Sequence, residues 1–288
     1  MNWVSLLFID SVCHQLRKST FLKISQLSGS WASFGSEHHK KRREFGFRCD
    51  LNGNHKVSYN LQETDWAHPR ETVADLNLEF DRITSFACDA AYHNHRVSLN
   101  EFEIVLLPTV VSLVTNCSWP FLPPQRSLQN RFFFNAFKNC HGFNEITVQE
   151  QGQESRDFIA RQVELGNVQT LTLYGTKNWP EAENLAETLK IFVSSAKFHK
   201  LYYRRLLLDD YELFELFLER ALAKELKRGA CINTHATNFD TGNCDENRFL
   251  ALHPECRHDS EKAEWRIPDS NLRIALRHGS GMLCLNVE

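Results

Sequence analysis

A short strand pattern recurs along the middle of the chain and most constrains how it can fold. Each copy has an apolar residue, two polar residues and then Ile or Leu, and a helical stretch follows. Three of these Ile or Leu positions, Ile146, Leu171 and Leu201, are 25 and 30 residues apart. Strands that alternate with helices at this spacing favour parallel pairing through crossover connections. The copies occupy residues 80–83, 143–146, 168–171 and 198–201.

This alternation predicts an α/β fold. The favoured arrangement is an irregular solenoid of βα units with parallel strands, similar to a leucine-rich repeat. A compact doubly wound sheet and a compact α+β sheet are the alternatives, and the sequence leaves both open. The long interval between Ile83 and Ile146 predicts one additional degenerate unit.

Two helices in the second half of the chain have clear patterns. The first carries apolar residues at helical spacing and has a start signal at Asn178 and Pro180. Its apolar positions are Leu185, Leu189, Phe192 and Val193. The last long helix is predicted to begin at Asp209 or Asp210 and to end at Gly229, a common helix terminator.

Two β-hairpins flank the repeats. The first alternates apolar and polar residues over 45–51 and 57–61, with a turn at Asn52-Gly53. The second runs through Trp265 and a turn at 268–271 into 272–276, and 282–287 adds a possible third strand. We expect this C-terminal hairpin to cap the exposed end of the repeats.

Residues 4 to 43 form a separate pattern of short apolar helices. Helices of this length are unstable alone in water, so they must pack on one another or on a partner. The sequence therefore predicts three domains. These are a helical module at 1–44, a hairpin with βα repeats at 45–230, and an irregular Cys/His-rich segment with a hairpin cap at 231–288.

The order of features in the first forty residues matches a known motif. An apolar helix at 6–16 precedes a second at 21–27, and small residues at 28–30 come just before Trp31. This arrangement resembles an F-box, although Val4-Ser5-Leu6 stands where the motif usually opens with Leu-Pro.

The whole chain is also similar to a large nematode-expanded group of F-box-like proteins with degenerate leucine-rich-like repeats. The segments that carry this likeness are 8–12, 40–45, 80–83, 158–159, 161–166, 179–180, Trp265 and 268–271.

The resemblance implies an adaptor role. An F-box binds a Skp-type adaptor of a cullin ubiquitin ligase, while the repeat domain binds a protein substrate. The alternative is an interaction or structural repeat protein whose N-terminal helices only cover the first strand and bind no adaptor. The adaptor-binding side chains that the resemblance implies are Leu6, Ile9, Val12, Leu16, Leu22 and Trp31.

The predicted parallel strands also suggest a substrate surface. The two-residue period of a strand places Leu171 and Leu201 inward and their neighbours outward. Tyr and Arg are enriched at protein-binding hot spots, so the outward row is suited to a protein substrate. The substrate-binding residues predicted in this way are Thr172, Tyr174, Tyr202 and Arg204.

Cysteine and histidine residues are concentrated in the irregular segment 230–262. Two pairs, Cys-x3-His and His-x2-Cys, could supply four ligands to zinc, although their spacing fits no familiar zinc finger. We therefore predict no cofactor, and a zinc site is an alternative. Its ligands would be Cys231, His235, His253 and Cys256.

Charge and motif content argue against several classes of protein. With Lys+Arg 33 and Asp+Glu 36, the formal charge is −3, so we expect no binding to nucleic acid or anionic membrane. Nine cysteines without short paired spacing disfavour a secreted disulfide scaffold. No nucleophile elbow, Walker loop or dinucleotide turn is present, so we expect a non-enzymatic protein.

Location is expected to be cytoplasmic or nuclear. The apolar stretch 4–9 is broken by Asp10 and is too short for a signal sequence or a membrane span. The basic run 38–43 is interpreted as the solvated end of a helix, with a nuclear-targeting signal as the alternative.

Overall fold

Helices and strands alternate along most of the chain in the computed structural model, which confirms the α/β class. The chain forms two compact units, residues 1–145 and 146–288. The structure describes residues 4–52, 56–64, 72–88, 94–119, 127–174, 183–203, 210–235, 257–258, 262–266, 273–279 and 282–288.

Three short helices open the first unit. They are α1 (Leu6–His14), α2 (Lys18–Ile24) and α3 (Ser30–Lys41). Ile9, Cys13, Phe21 and Ile24 form their small core. The helices pack closely, since a Cβ atom at Gly35 would lie 2.7 Å from Cγ2 of Ile24. Mutual packing therefore stabilises helices that are individually too short to persist in water.

The sheet of the first unit mixes parallel and antiparallel pairs. β1 pairs antiparallel with β2, which in turn pairs antiparallel with β4. On its other side β1 pairs parallel with β3, and β3 pairs parallel with β5. The strands are β1 (Glu44–Asn52), β2 (Lys56–Glu63), β3 (Arg82–Cys88), β4 (His95–Ser98) and β5 (Val114–Trp119).

The predicted N-terminal hairpin is confirmed by the antiparallel register of β1 and β2. Phe47 lies opposite Leu61 and Cys49 opposite Tyr59, and all four side chains are buried. The alternation of apolar and polar residues therefore separates a core face from a wetter face. The expected turn residue Gly53 lies outside the described residues.

The interval between Ile83 and Ile146, where an additional unit was expected, contains a further parallel strand, because β5 lies there and pairs with β3. Trp119 of β5 packs in an aromatic cluster with Phe86, Phe137 and Phe143, with ring centroids 4.4–6.3 Å apart. The neighbouring helical elements are a 3-10 turn (Val73–Asp75), α4 (Leu99–Glu101), a π-helical segment (Phe102–Leu106), α5 (Leu107–Leu113) and α6 (Ser127–Phe137).

Strands and helices alternate strictly through the first part of the second unit. β7, β8 and β9 pair in parallel and in chain order, with Leu171, Leu201 and Ile232 at equivalent positions. Helix α7 packs on α8, and α8 packs on α9. The elements are β6 (Phe143–Gln149), which spans the boundary between the units, α7 (Gln153–Glu164), β7 (Thr170–Tyr174), α8 (Glu183–Ser194), β8 (Lys200–Tyr203), α9 (Asp210–Leu222) and β9 (Cys231–His235).

The apolar positions predicted for α8 are confirmed, because all four are buried. Its predicted start at Asn178 and Pro180 lies outside the described residues. The predicted end of α9 at Gly229 is wrong, since the helix ends at Leu222. Lys224 adopts a left-handed conformation there, with a φ of +62°, and this stops the helix.

Four strands close the second unit in an antiparallel arrangement. The strands of the predicted hairpin and its third strand are confirmed, and β13 pairs with β9. The predicted turn at 268–271 lies outside the described residues. The segment predicted to be irregular from residue 231 onward begins instead with β9. The closing strands are β10 (Arg257–His258), β11 (Lys262–Arg266), β12 (Arg273–Gly279) and β13 (Met282–Val287).

The helices that the structure describes include none that is both long and apolar enough to cross a membrane.

Candidate functional site

Exposed apolar side chains are concentrated in and next to α1 and α2. Leu7 is 82% exposed, and the five others are between 41% and 56% exposed. Because exposed apolar surface of this kind on soluble proteins marks interaction sites, this concentration of exposed apolar side chains is a candidate binding site. We call this set the N-terminal apolar surface; its residues are Val4, Leu6, Leu7, Phe8, Leu22 and Leu27.

The structure separates the six residues that the resemblance assigns to adaptor binding. Leu6 and Leu22 lie on the N-terminal apolar surface, whereas Ile9 is 2% exposed and belongs to the core of the helical module. Leu16 and Trp31 are partly buried against that core. Val12 is half-buried. Ile9 therefore stabilises the helical module by packing and is not available to a partner. The exposed neighbours Leu7 and Phe8 are surface residues that the sequence did not single out.

Side chains from three other elements hold the C-terminal end of α1 and the turn after it. Arg42 donates from Nη2 to the Cys13 carbonyl at 3.0 Å and from Nη1 to the Leu16 carbonyl at 2.9 Å. Arg82 donates from Nε to the His14 carbonyl at 3.2 Å, and Asn116 donates to the Gln15 carbonyl. Four consecutive carbonyls at the end of a helix, where intrahelical donors run out, thus receive side-chain donors, and the Cys13 carbonyl also accepts from the Leu16 amide. This bonding fixes the position of α1.

A polar network joins α1 to α3 and to the start of β3. The Asp10 carboxylate accepts from His14 Nε2 at 3.2 Å and from His38 Nε2 at 3.4 Å. Arg42 Nη2 lies 3.0 Å from His38 Nδ1, and Arg82 Nη2 contacts His14 Nδ1. Burial lowers the pKa of His38, and the adjacent Arg42 cation lowers it further. Burial also lowers the pKa of Arg82 to about 10, so Arg82 remains a cation at neutral pH.

Asp10, His14 and His38 are close enough to suggest a metal site, because their ligand atoms lie within 4.8 Å of one another. The protonation of the rings argues against it. A guanidinium can only donate, so each Nδ1 must hold a lone pair and each Nε2 must carry the proton. A neutral histidine that binds metal through Nε2 needs the opposite tautomer. We therefore assign this cluster to structural hydrogen bonding.

The basic run 38–43 is largely engaged in internal contacts. Arg42 is fully buried, and Arg43 forms a bidentate pair with the buried Asp81 at 3.0 and 2.6 Å. Lys41 pairs with Glu37 at 2.7 Å and lies over the Phe80 ring. The run therefore differs from the solvated helix end predicted from sequence, because Arg42 bonds the end of α1 and Arg43 bonds Asp81 just before β3.

The predicted substrate residues lie partly in one row on the sheet of the second unit. Thr172 of β7 lies beside Tyr202 of β8, which lies beside Asn233 of β9. Tyr174 is 44% exposed at the end of β7. Arg204 lies outside the described residues. The opposite side of these strands is buried, whereas Thr172, Tyr202 and Asn233 are half-buried, so the outward row is the more accessible side, as the period of two predicts.

Two of the candidate zinc ligands are described. Cys231 is buried in β9, where its Sγ lies 3.8 Å from the Tyr202 hydroxyl and 3.6 Å from Asn233 Nδ2. Burial raises the pKa of Cys231, which disfavours the thiolate that zinc binds. His235 ends β9, and His253 and Cys256 lie outside the described residues. The described residues thus bring no zinc ligand set together at Cys231.

The buried network on α1 and α3 was not predicted from the sequence. Its signal was present, because Asp10 and His14 are four residues apart on one face of α1, and Arg42, just after α3, follows His38 at the same spacing. The contacts that bury these pairs join residues 26 to 68 positions apart, which local patterns do not reveal.

Comparison with known proteins gives little further information. No family model matches the chain, and no curated protein matches it. One solved structure, the MycE methyltransferase from the mycinamycin biosynthetic pathway in complex with Mg and SAH, matches over 99% of this chain and 93% of its own. The identity is 11% and the TM-score is 0.25.

This match contradicts the expectation of a non-enzymatic protein, since the matched structure is an enzyme. At a TM-score of 0.25, the likeness transfers no reaction, cofactor or site to this chain.

Proposed function

We propose that the chain is a protein-interaction adaptor that docks on a Skp-type subunit of a cullin ubiquitin ligase through its N-terminal apolar surface. The observation that carries the proposal is the concentration of exposed apolar side chains. Of the eleven large apolar side chains exposed in the described part of the chain, six lie between Val4 and Leu27. The F-box resemblance of the same residues supports this choice of partner.

Burial of this surface supplies the driving force for docking. Covering one Leu or Phe side chain completely stabilises a complex by about 1.5–3 kcal/mol. A few such residues therefore offset much of the translational and rotational entropy that is lost on association. Leu7 and Phe8 are neighbours on α1, and the bonded carbonyls at the end of α1 keep that helix in place. A preformed surface loses less conformational entropy on binding than a mobile one.

The second part of the proposal is a substrate surface on leucine-rich-repeat-like strands of the second unit. The parallel order of β7, β8 and β9, together with the packing of α7 on α8 and of α8 on α9, supports a solenoid-like arrangement with helices on one side. The other side carries Thr172, Tyr202 and Asn233 in one row. Tyr and Asn side chains in such a row are suited to protein recognition.

Co-purification with a Skp-type adaptor tests the proposal. The unmodified chain should retain the adaptor, and a variant with Leu7→Asp and Phe8→Asp should lose it. Both side chains are exposed, so these changes leave the core of the helical module intact. A matched control carries Ile104→Asp and Val105→Asp, which alter an exposed apolar pair on a different helical segment.

The outcomes separate the two functions left open by the sequence. Capture by the unmodified chain and the control, with loss in the double variant on α1, supports the adaptor. Absence of capture by the unmodified chain overturns the proposal and favours a repeat protein without adaptor binding.

A further inference from the structure

Two buried cysteines of the first unit lie side by side on neighbouring strands. Cys49 of β1 and Cys88 of β3 are register partners in a parallel pair, and their Sγ atoms are 3.7 Å apart. They are 0% and 4% exposed, respectively, and both are thiols. Paired residues on adjacent strands have Cα atoms about 4.8 Å apart. This falls within the usual disulfide range of about 4.4–6.8 Å.

The register of the two strands is fixed by the aromatic residues next to the cysteines. Phe47 lies opposite Phe86, and their buried rings stack with centroids 5.7 Å apart. A slip of one residue would turn these rings out of the core. The two sulfur atoms are therefore held as neighbours, and side-chain rotation alone can shorten their separation toward the bond length of about 2.05 Å.

We infer that Cys49 and Cys88 form an oxidation site, a thiol pair that a small peroxide converts to a cross-strand disulfide and that a dithiol reductant restores. Cys88 is the last residue of β3 and the more exposed of the two. Its sulfur attacks the peroxide, the O–O bond breaks, and one water leaves as a sulfenic acid forms. The sulfur of Cys49 then attacks that sulfur, the S–O bond breaks, and a second water leaves. Two thiols are oxidised by two electrons, and one peroxide is reduced to two waters.

Peptide mapping of the full chain tests this inference. After treatment with hydrogen peroxide in native buffer and alkylation of remaining thiols, we expect one crosslinked species that joins the peptides of Cys49 and Cys88 and is lighter by two hydrogens. Dithiothreitol should restore both thiols. The same treatment in denaturing urea should scatter the crosslinks among other cysteines, because the register no longer holds the pair together.

Variants identify the pair. Cys49→Ala should abolish the crosslink and leave Cys88 as a sulfenic acid that dimedone traps. Cys284→Ser is the matched control, because Cys284 is half-buried on β13 and is more accessible than the pair. The control should keep the crosslink unchanged. Recovery of Cys49 and Cys88 as alkylated thiols from treated wild-type protein with an unchanged far-UV spectrum would overturn the inference. Equal crosslinking of Cys49 to several cysteines in native buffer would also overturn it.

Discussion

At the residue scale, Gly142 allows two backbone segments of the first unit to approach closely. A Cβ atom at this position would lie 2.1 Å from the Val114 carbonyl oxygen. The Gly142 carbonyl also accepts a hydrogen bond from the Cys117 amide at 2.8 Å. Because the obstacle is backbone, no side-chain rotation relieves it. We expect Gly142→Ala to lower the free energy of unfolding by about 1–3 kcal/mol, as measured by urea denaturation.

Gly46 provides the matched control in β1. A Cβ atom there would meet its nearest neighbour at an ordinary distance of 3.8 Å. Gly46→Ala should leave the free energy of unfolding unchanged or raise it, because alanine restricts the unfolded chain. Equal destabilisation by the two substitutions would show that the close contact at Gly142 is not the cause.

His38 makes the stability of the helical module depend on pH. Burial lowers its pKa first, and Arg42 adds to this, whereas Asp10 and Glu37 act in the opposite direction. The His14 ring faces His38 at a centroid distance of 5.4 Å. Below about pH 6.5 the unfolded state takes up a proton more readily than the folded state. The contribution of His38 to the free energy of unfolding is therefore fully present above about pH 6.5. It is lost as the pH falls through the lowered pKa of His38.

A glutamine at this position tests the titration directly. His38→Gln offers an oxygen to Arg42 and an amide to Asp10, and it carries no titrating proton. We expect the decline in the free energy of unfolding from about pH 7 to pH 5 to be smaller in the variant than in the unmodified chain. Parallel denaturation curves at these pH values supply the measurement, and an identical decline in both proteins would contradict the role of His38.

At the element scale, Arg42 links α3 to the end of α1. Its fork donates to the carbonyls of Cys13 and Leu16 and to His38 Nδ1. Arg42→Lys keeps the charge, but a single ammonium group cannot reproduce the fork. The free energy of unfolding should fall by about 2–3 kcal/mol, because buried acceptors lose their donors.

The control for this substitution is Arg161→Lys on α7. Arg161 is exposed and pairs with Glu164 at 3.1 Å, and lysine can form the same exposed pair. We expect a change within about 0.5 kcal/mol by urea denaturation. A loss at Arg161 equal to that at Arg42 would contradict the assignment of Arg42 as the anchor of α1.

The elements that local periodicity governs were predictable. The apolar positions of α8, the strand starts around Ile146, Leu171 and Leu201, and both hairpins follow periods of 3.6 or 2 residues. The end of α9 was not predictable, because Lys224 adopts its left-handed conformation without a glycine or asparagine signal. Likewise, the fully buried Arg42 lies in a basic run that local pattern assigns to solvent.

At the scale of the whole molecule, the two units differ in how their strands pair. The first unit joins the helical module, with its N-terminal apolar surface, to a mixed sheet. The second unit joins ordered parallel strands to an antiparallel end. The sequence predicted the helical module and the parallel pairing of the repeat strands, but not their order. It also did not predict which side chains of α1 are exposed, because exposure depends on how α1, α2 and α3 pack.

Binding to a purified Skp-type adaptor, measured by calorimetric titration at two temperatures, tests the central claim most directly. The unmodified chain should bind saturably, and its heat-capacity change should be negative, because binding buries the N-terminal apolar surface. The Leu7→Asp, Phe8→Asp variant should lose this binding, whereas the Ile104→Asp, Val105→Asp control should retain it. Absence of saturable binding by the unmodified chain, or equal binding by both variants, would contradict the account.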